Sequence, residues 1–391
     1  MAFVDVEASH SGDGLSWETA LATLDEAFAL GVPTVFVKAG TITATSAGPL
    51  LTVPAGVHVA GGVSRDATGM QTFDLPRSYT VLDGAGLGGP VVAMPAGGEI
   101  SGLTVRGGTS DVGGGVLITG AGAAMTGVWL DGNQAAWGGG LACLDAADVQ
   151  LRDLTLTKNV AAGDEPRGGG AYLVGCTGTF ATSVVDGNAA IASIGHAAEG
   201  GGLYLDGPTP ELAQVEVLAS QAWTQPYPDG DPARFAETLP VNTGGGVYLG
   251  AAAVAHWDGV VVRDNVVTGH SLGSYLVWNG DVTMRASGES EGAGVYVGAG
   301  ASFTFEGLVI QQNEARPGTS GTVASWECVS DSWTCTVVPQ EANYGYRYYP
   351  GPTGAVRGGG LYRPGSPFDP EVNEGWSSLS SNQPTDLEPT L

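Results

Sequence analysis

The chain has 391 residues, and 65 of them are glycine, more than twice the usual share of about 7%. Glycine does not recur at every third residue, which excludes collagen. Lys and Arg number 14 against 40 Asp and Glu, for a formal net charge of −26. This charge excludes nucleic acid and anionic lipid as ligands, because both need cationic neutralisation. It leaves neutral glycans, divalent cations and basic partners. No apolar run reaches the roughly 18 residues of a transmembrane helix, so no membrane span is expected.

One helix is predicted near the start of the chain. It covers Ser16–Leu30, with Ser16 as the N-cap and Gly31 at the end. Leu21, Leu24 and Phe28 would share its apolar face. If the rest of the chain is a stack of repeats, its open end must be covered. We therefore expect residues 1–33 to form an N-terminal cap of one strand and this helix.

Short apolar segments that follow the cap predict strands of irregular spacing. They are Thr34–Lys38, Leu50–Val53, Val57–Gly62, Tyr79–Leu82, Val91–Met94 and Ile100–Val105.

A glycine triplet followed by an apolar residue then recurs along the chain, and in the sixth copy Ala293 replaces the middle glycine. The copies are Gly113–Val116, Gly138–Leu141, Gly168–Ala171, Gly200–Leu203, Gly244–Val247, Gly292–Val295 and Gly358–Leu361. Each unit closes on a small polar residue, in order Asn133, Asn159, Asn188, Ser220, Asn265, Asn313 and Asn382. Internal repetition of this kind is typical of solenoids. The asparagines are expected to bond to neighbouring backbone at a turn, which is a structural role.

Three apolar rows appear when residues are counted back from each closing position. They are Leu130, Leu156, Val185, Val217, Val262 and Ile310 at three before; Val128, Leu154, Ser183, Val215, Val260 and Leu308 at five before; and Met125, Leu151, Phe180, Leu212, Trp257 and Phe305 at eight before. Equivalent residues stacked about 4.8 Å apart would fill a continuous core. The sequence therefore predicts an all-β protein, a right-handed parallel β-helix over residues 34–382, followed by a tail or linker start at 383–391.

Inserts lie between each closing residue and the next triplet, and they lengthen along the chain. They cover 134–137, 160–167, 189–199, 221–243, 266–291 and 314–357. All would leave from one corner and collect on one edge, and loops on one face of a solenoid are commonly its binding face. The last three inserts contain 10 of the 21 Trp and Tyr residues: Trp223, Tyr227, Tyr275, Trp278, Trp326, Trp333, Tyr344, Tyr346, Tyr348 and Tyr349. These residues could build a small core or contact a ligand, since Trp and Tyr serve both purposes.

A stripe of tyrosines is predicted one residue beyond the apolar position of five triplets. Its members are Tyr172, Tyr204, Tyr248, Tyr296 and Tyr362, which strand alternation turns away from the core. They could stack across rungs and stabilise the sheet, or they could form a platform for sugar rings or for a partner's aliphatic side chains.

The four cysteines divide into two groups. Cys328 and Cys335 bracket a short polar segment, and a disulfide between them is expected to close a loop, with two free thiols as the alternative. Cys143 occupies a repeat position that is mostly apolar, which predicts a buried free thiol.

Catalytic and metal-binding patterns are weak. Lys158 and Arg263 are predicted beside Asp131, Asp186 and Asp264, a set that could serve a calcium-assisted lyase, although solvated corner charges explain it as well. Asp229 and Asp231 form a weak calcium pattern, so calcium is possible although no cofactor is expected. The polygalacturonase triplets Asn-Thr-Asp, Gly-His-Gly and Arg-Ile-Lys are absent.

The repeats resemble those of chlamydial polymorphic outer membrane proteins, which repeat Gly-Gly-Ala-Ile/Leu/Val and Phe-x-x-Asn elements. The matching segments are the triplets above and Leu130–Asn133, Leu156–Asn159, Val185–Asn188, Val262–Asn265 and Ile310–Asn313, with an aliphatic residue in place of Phe. The opening segments Gly12–Trp17, Val35–Thr41, Val57–Gly62 and Val81–Gly84 are similar to secreted bacterial parallel β-helix proteins. The resemblance implies this fold and an extracellular or cell-surface location.

Three functions are open at this point. The leading hypothesis is a non-catalytic, adhesin-like binding module for a glycan or protein at a cell surface, using the insert edge and the tyrosine stripe. The second is a calcium-assisted polysaccharide lyase or glycoside hydrolase. The third is a structural spacer or filament subunit.

Overall fold

The structure is a computed structural model that describes residues 1–65, 71–72, 80–225, 241–269, 275–278, 290–298, 301–316, 323–328, 335–337, 356–357, 361–363, 378–380 and 387–389. Of 64–65, 71–72, 275–278, 290–291 and every segment after 316, only the backbone is described. Three long parallel sheets, called sheets A, B and C, run through these residues and wind around one apolar interior. The predicted parallel β-helix is confirmed.

Sheet A contains the first strand of the chain. In spatial order it comprises β1 (Ala2–Val4), β2 (Thr34–Lys38), β5 (His58–Arg65), β9 (Glu99–Ser101), β12 (Ala124–Thr126), β16 (Val149–Arg152), β20 (Gly178–Ala181), β24 (Glu211–Ala213), β29 (Val254–Asp258) and β35 (Ser302–Glu306). A short strand, β6 (Gln71–Thr72), pairs antiparallel with the end of β5.

Sheet B comprises β3 (Gly40–Thr43), β7 (Thr80–Asp83), β10 (Thr104–Arg106), β13 (Trp129–Asp131), β17 (Thr155–Thr157), β21 (Val184–Asp186), β25 (Glu216–Leu218), β30 (Val261–Arg263), β36 (Val309–Gln311) and β42 (Ser378–Ser380). Sheet C comprises β4 (Leu51–Thr52), β8 (Val92–Met94), β11 (Val116–Ile118), β15 (Leu141–Leu144), β19 (Ala171–Val174), β23 (Leu203–Asp206), β28 (Val247–Leu249), β34 (Val295–Val297), β41 (Leu361–Arg363) and β43 (Leu387–Pro389). Each triplet leads directly into a strand of sheet C.

Three smaller sheets are built from the inserts. The corner sheet, where the inserts begin, comprises β14 (Gln134–Ala135), β18 (Val160–Gly163), β22 (Ala189–Ala192), β26 (Gln221–Thr224), β31 (Val266–Thr268) and β37 (Glu314–Arg316). The return sheet, where the inserts end, comprises β27 (Asn242–Thr243), β33 (Ser290–Glu291) and β40 (Val356–Arg357). The distal sheet comprises β32 (Tyr275–Trp278), β38 (Val323–Cys328) and β39 (Cys335–Val337).

The predicted helix is shorter than expected and begins later. Helix α1 covers Leu24–Ala29, and its N-cap is Thr23 rather than Ser16. The reason is a capping box, in which Glu26 and Thr23 satisfy each other's backbone N–H groups. The segment before the helix instead pairs with the outer edge of β1: the Phe3 N–H donates to the Gly14 carbonyl, and the Leu21 N–H donates to the Phe3 carbonyl.

The three apolar rows of the repeat stack as predicted. In sheet B, Leu130 lies opposite Leu156, and the register continues rung by rung to Ile310. In sheet A, the corresponding row runs from Met125 to Phe305. All members of the three rows are buried. The interior is therefore held by like residues lying above like residues in consecutive rungs.

A ladder of buried asparagines closes the turn between sheet B and the corner sheet. The Asn133 N–H and side-chain amide donate to Asn159 Oδ1, and Asn159 donates in the same way to Asn188 Oδ1, at 2.9–3.0 Å. Ser220 interrupts the ladder, because its hydroxyl donates to the Leu218 carbonyl and offers nothing equivalent to Asn188. The ladder resumes where the Ser220 N–H donates to Asn265 Oδ1.

The substitution Ser220→Asn is expected to stabilise the protein by about 1–2 kcal/mol, because it restores hydrogen bonds to buried groups of Asn188. The opposite change, Asn188→Ser, should lower the free energy of unfolding by a similar amount. Chemical denaturation of both variants measures the two effects. A destabilised Ser220→Asn variant would show that the serine is preferred for its size.

One sequence expectation for the cysteines is wrong. Cys143 is not a free thiol but forms a disulfide with Cys176, at a Cα–Cα distance of 6.2 Å. Both residues are fully buried, and the bond joins the end of β15 to the turn after β19 in the next rung. Cys328 and Cys335 are backbone partners across β38 and β39. Their side chains lie outside the described residues, so that disulfide stays a prediction.

Removing the buried disulfide with Cys143→Ala and Cys176→Ala should lower the free energy of unfolding by about 3–4 kcal/mol, since it closes a loop of 33 residues. Thermal or denaturant unfolding measures the loss. In the native protein, the bond should also resist a thiol reductant until the chain unfolds, because neither sulfur is accessible. Rapid reduction in the folded state would contradict this.

Candidate binding surface at the insert corner

The inserts leave and return along one corner of the solenoid. Their first residues stack as the corner sheet, and their last residues form a second row in which Val112, Trp137, Arg167, Glu199 and Thr243 are bridged in order. A small core of alanines and one valine lies between these layers, separate from the main interior: Ala161, Ala190, Ala192, Ala198, Ala222, Val267, Ala293 and Ala315. The corner therefore has its own packed base.

Strands of the two longest inserts pair with each other. Strand β32 of insert 266–291 lies parallel to β38 of insert 314–357, with Trp278 opposite Trp326. Tyr275 is the first residue of β32. Trp223 lies in β26 of the corner sheet, opposite Ile191 of β22. Other predicted aromatic and calcium residues fall outside the described residues: Tyr227, Asp229, Asp231, Trp333, Tyr344, Tyr346, Tyr348 and Tyr349.

The tyrosine stripe is a stacked column. Ring centroids lie 5.0 Å apart for Tyr172 and Tyr204, 4.9 Å for Tyr204 and Tyr248, and 5.0 Å for Tyr248 and Tyr296. The interplanar angle falls from 25° to 7° along the column. Tyr362 continues the backbone register opposite Tyr296, and its side chain is not described. Tyr172 and Tyr204 are buried, with 8% and 6% exposure, whereas Tyr248 and Tyr296 are partly exposed. Because the rings cover one another's faces, a ligand can meet only the edges and hydroxyl groups of the exposed rings.

The return row covers the first two tyrosines of this column, Tyr172 and Tyr204. Trp137 stacks on Tyr172 at 5.8 Å, above the position where the register places the small side chain of Ala142. The Arg167 guanidinium lies 5.4 Å from the centre of the Tyr204 ring, a cation–π distance. Both residues stand immediately before a glycine triplet. Each therefore covers the tyrosine of the following rung.

A charged pair lies among these rings. Arg167 Nε donates to Glu199 Oε2 at 2.8 Å, and the two side chains are 28% and 23% exposed. Burial raises the pKa of Glu199, against the opposing effect of Arg167. Burial alone would lower the pKa of Arg167, but the Glu199 carboxylate raises it overall. Burial, with the nearby Glu199 charge, also raises the pKa of Tyr204 and Tyr248. The tyrosine hydroxyls therefore stay protonated at neutral pH.

Sequence reasoning found the column but missed the return row. Trp137, Arg167, Glu199 and Thr243 differ in chemistry, so no residue pattern marks them. Their shared position, the residue before each triplet, was the available signal.

The residues considered for lyase chemistry do not converge. Lys158 is exposed, and β17 beside it is three rungs from β30, which carries Arg263. At about 4.8 Å per rung the two cations stand roughly 14 Å apart. Arg263 instead pairs with its neighbour Asp264 at 2.8 Å. Within the part of the chain that the structure describes, no three His, Cys, Asp or Glu residues are grouped to hold a metal ion.

Comparisons with known proteins identify no family or ligand for this parallel β-helix. No family model and no curated protein matches the chain. Among solved structures, it is similar to the A-module of a mannuronan C-5 epimerase from Azotobacter vinelandii, at 12% identity and a TM-score of 0.26, over 83% of this chain and 96% of that one. A TM-score this low carries no information on activity or ligand. No helix among the described residues is long and apolar enough to cross a membrane.

The raised pKa values of the column predict an alkaline response. Tyr172, Tyr204 and Tyr248 bind their protons more tightly when folded, so their contribution to stability is present below the ordinary tyrosine pKa of about 10 and is lost as pH rises above it. Tyrosinate absorbance should show a group of tyrosines that ionise later than the others or only on unfolding. Tyr204→Phe should remove one residue from that group. If all 12 tyrosines of the folded chain ionised together, the prediction would fail.

Proposed function

We propose that the protein is a non-catalytic binding module of the adhesin type, working outside the cell or at its surface, and that its ligand docks along the insert corner. The observation that carries this proposal is that the three longest inserts all begin in the corner sheet and end in the return sheet, beside the aromatic column. A rigid stack that presents extended loops on a single edge is a common way to build a binding face.

Other features support the same proposal. The disulfide between Cys143 and Cys176 is typical of proteins from oxidising compartments. The repeat resemblance to chlamydial outer membrane proteins and to secreted β-helix proteins implies a surface location. The net charge of −26 favours a neutral or basic ligand over a polyanion.

The N-terminal end of the solenoid provides evidence on the third hypothesis, a filament subunit. Head-to-tail growth needs a free strand edge at the first rung. The outer edge of β1 is already paired with residues 14–21, and Phe3 packs against Trp17 there at 4.9 Å. This closed edge favours a binding role over a filament subunit.

Replacing insert 314–357 by the four residues of the shortest insert, Gln134–Trp137, should abolish binding to cells and to an array of glycans and surface proteins. The short insert already closes a rung at this corner, so the solenoid should keep its far-UV β spectrum and its melting temperature. The intact chain and the shortened chain are compared on the same array. Retained binding by a folded, shortened chain would refute the proposal.

A further inference from the structure

The return row runs along the tyrosine column, and Arg167 joins the two: its guanidinium lies 5.4 Å from the centre of the Tyr204 ring and its Nε lies 2.8 Å from Glu199 Oε2. Arg167, Glu199 and Thr243 are bridged in order, about 4.8 Å apart. Burial, and after it the charge of Glu199, raises the pKa of Tyr204 and Tyr248. The row and the column therefore form one continuous polar and aromatic strip.

Two hydrogen-bonding groups in this strip lack partners. Glu199 gives one oxygen, Oε2, to Arg167, while Oε1 has no hydrogen bond among the described residues. Thr243 is 6% exposed, and its buried Oγ1 has no hydrogen-bond partner in the part of the chain that the structure describes. A buried hydroxyl without a partner costs about 1–3 kcal/mol, so its retention needs a reason.

Strand alternation places the Thr243 side chain on the face of the strip. Its neighbour Asn242 turns the other way, where its side chain accepts from the Ala198 N–H and donates to the Thr268 carbonyl. Thr243 therefore faces the side on which Arg167 and Glu199 meet the tyrosines. Tyr248, in the same rung, and Glu199, in the preceding one, are both partly exposed.

The charges of the strip decide what kind of ligand it suits. An anion would meet Glu199 and the strongly negative chain, and a cation would meet the guanidinium of Arg167. A neutral hydroxyl avoids both costs, because it can donate to Glu199 Oε1 and accept from Thr243 or a tyrosine hydroxyl. Sugar rings also carry apolar C–H edges that pack well against aromatic side chains.

We propose that Glu199, Thr243 and Tyr248, with Arg167 fixing the Glu199 carboxylate, form a subsite for one neutral sugar residue of a larger glycan. This inference rests on the proposed binding function and names its ligand class. The subsite would set the preference for uncharged sugars.

The test uses the full chain and an array of neutral, uronate-containing and amino-sugar oligosaccharides. The intact protein should prefer neutral oligosaccharides. With the tightest of these as the probe, Thr243→Val should bind about tenfold more weakly, since it removes one hydroxyl at nearly constant shape. Glu199→Gln should also weaken binding, by at least as much, because the carboxylate is the stronger acceptor.

Two controls distinguish a loss of binding from a loss of folding. Thr243→Val removes an unpaired buried hydroxyl, so its melting temperature should stay the same or rise. Thr179→Val is the matched control: Thr179 is half-buried on the outer face of sheet A, away from the insert corner, and its substitution should leave binding unchanged.

The outcomes separate this inference from the proposed function. If shortening insert 314–357 abolishes binding while Thr243→Val binds like the intact chain, the subsite is wrong and the binding function stands. A preference for charged oligosaccharides, or binding only to proteins, overturns the subsite alone. Absence of any binding overturns both.

Discussion

In-register stacking of the rungs is the constraint on which the rest of this structure depends. Each strand is hydrogen-bonded to its counterparts in the rungs below and above, so residues at equivalent positions lie about 4.8 Å apart along the axis. The constraint turns a sequence repeat into rows: an apolar row fills the interior, an asparagine row satisfies a buried turn, and a tyrosine row covers one outer face. It also directs each insert to the same corner, because an insertion at one repeat position has one place to leave the stack. Fold and binding surface therefore have the same physical origin.

The sequence predicts the repeated parts of this arrangement well. Glycine triplets, closing asparagines and three apolar rows repeat seven or six times, and averaging over copies makes each signal strong. Single events are harder to predict. The start of α1 depends on one capping box, between Thr23 and Glu26, which competes with an equally plausible Ser16. The disulfide between Cys143 and Cys176 joins positions three residues apart in the repeat, so it becomes visible only when adjacent rungs are superposed. The pair of Arg167 and Glu199 is formed by residues 32 positions apart that share no type and no motif.

The aromatic column shows how one row can serve stability and recognition together. Stacking of Tyr172, Tyr204, Tyr248 and Tyr296 covers the ring faces, and each such contact adds about 0.5–1.5 kcal/mol beyond the area that it buries. Because the faces are occupied, the column can act on a ligand only through its edges and hydroxyls. The polarity of the return row beside it then becomes decisive for what binds. Trp137 makes one end of the strip apolar, whereas Arg167, Glu199 and Thr243 make the next rungs polar, so the chemistry changes from rung to rung while the scaffold stays constant.

The unpaired buried groups support a functional reading of that polar stretch. Among the described side chains, three buried polar atoms have no hydrogen-bond partner: Trp17 Nε1, Trp257 Nε1 and Thr243 Oγ1. The two indoles bury large apolar rings, against Phe3 and Phe303 respectively, and the area gained by burying such a ring readily offsets one unmade hydrogen bond. Thr243 buries only a methyl group in addition to its hydroxyl, so packing does not offset the cost in the same way. A valine would fill the same space without a polar atom. The hydroxyl at position 243 is thus the one of these three groups whose presence packing does not explain. Its residue is bridged to Glu199, whose Oε1 makes no hydrogen bond among the described residues.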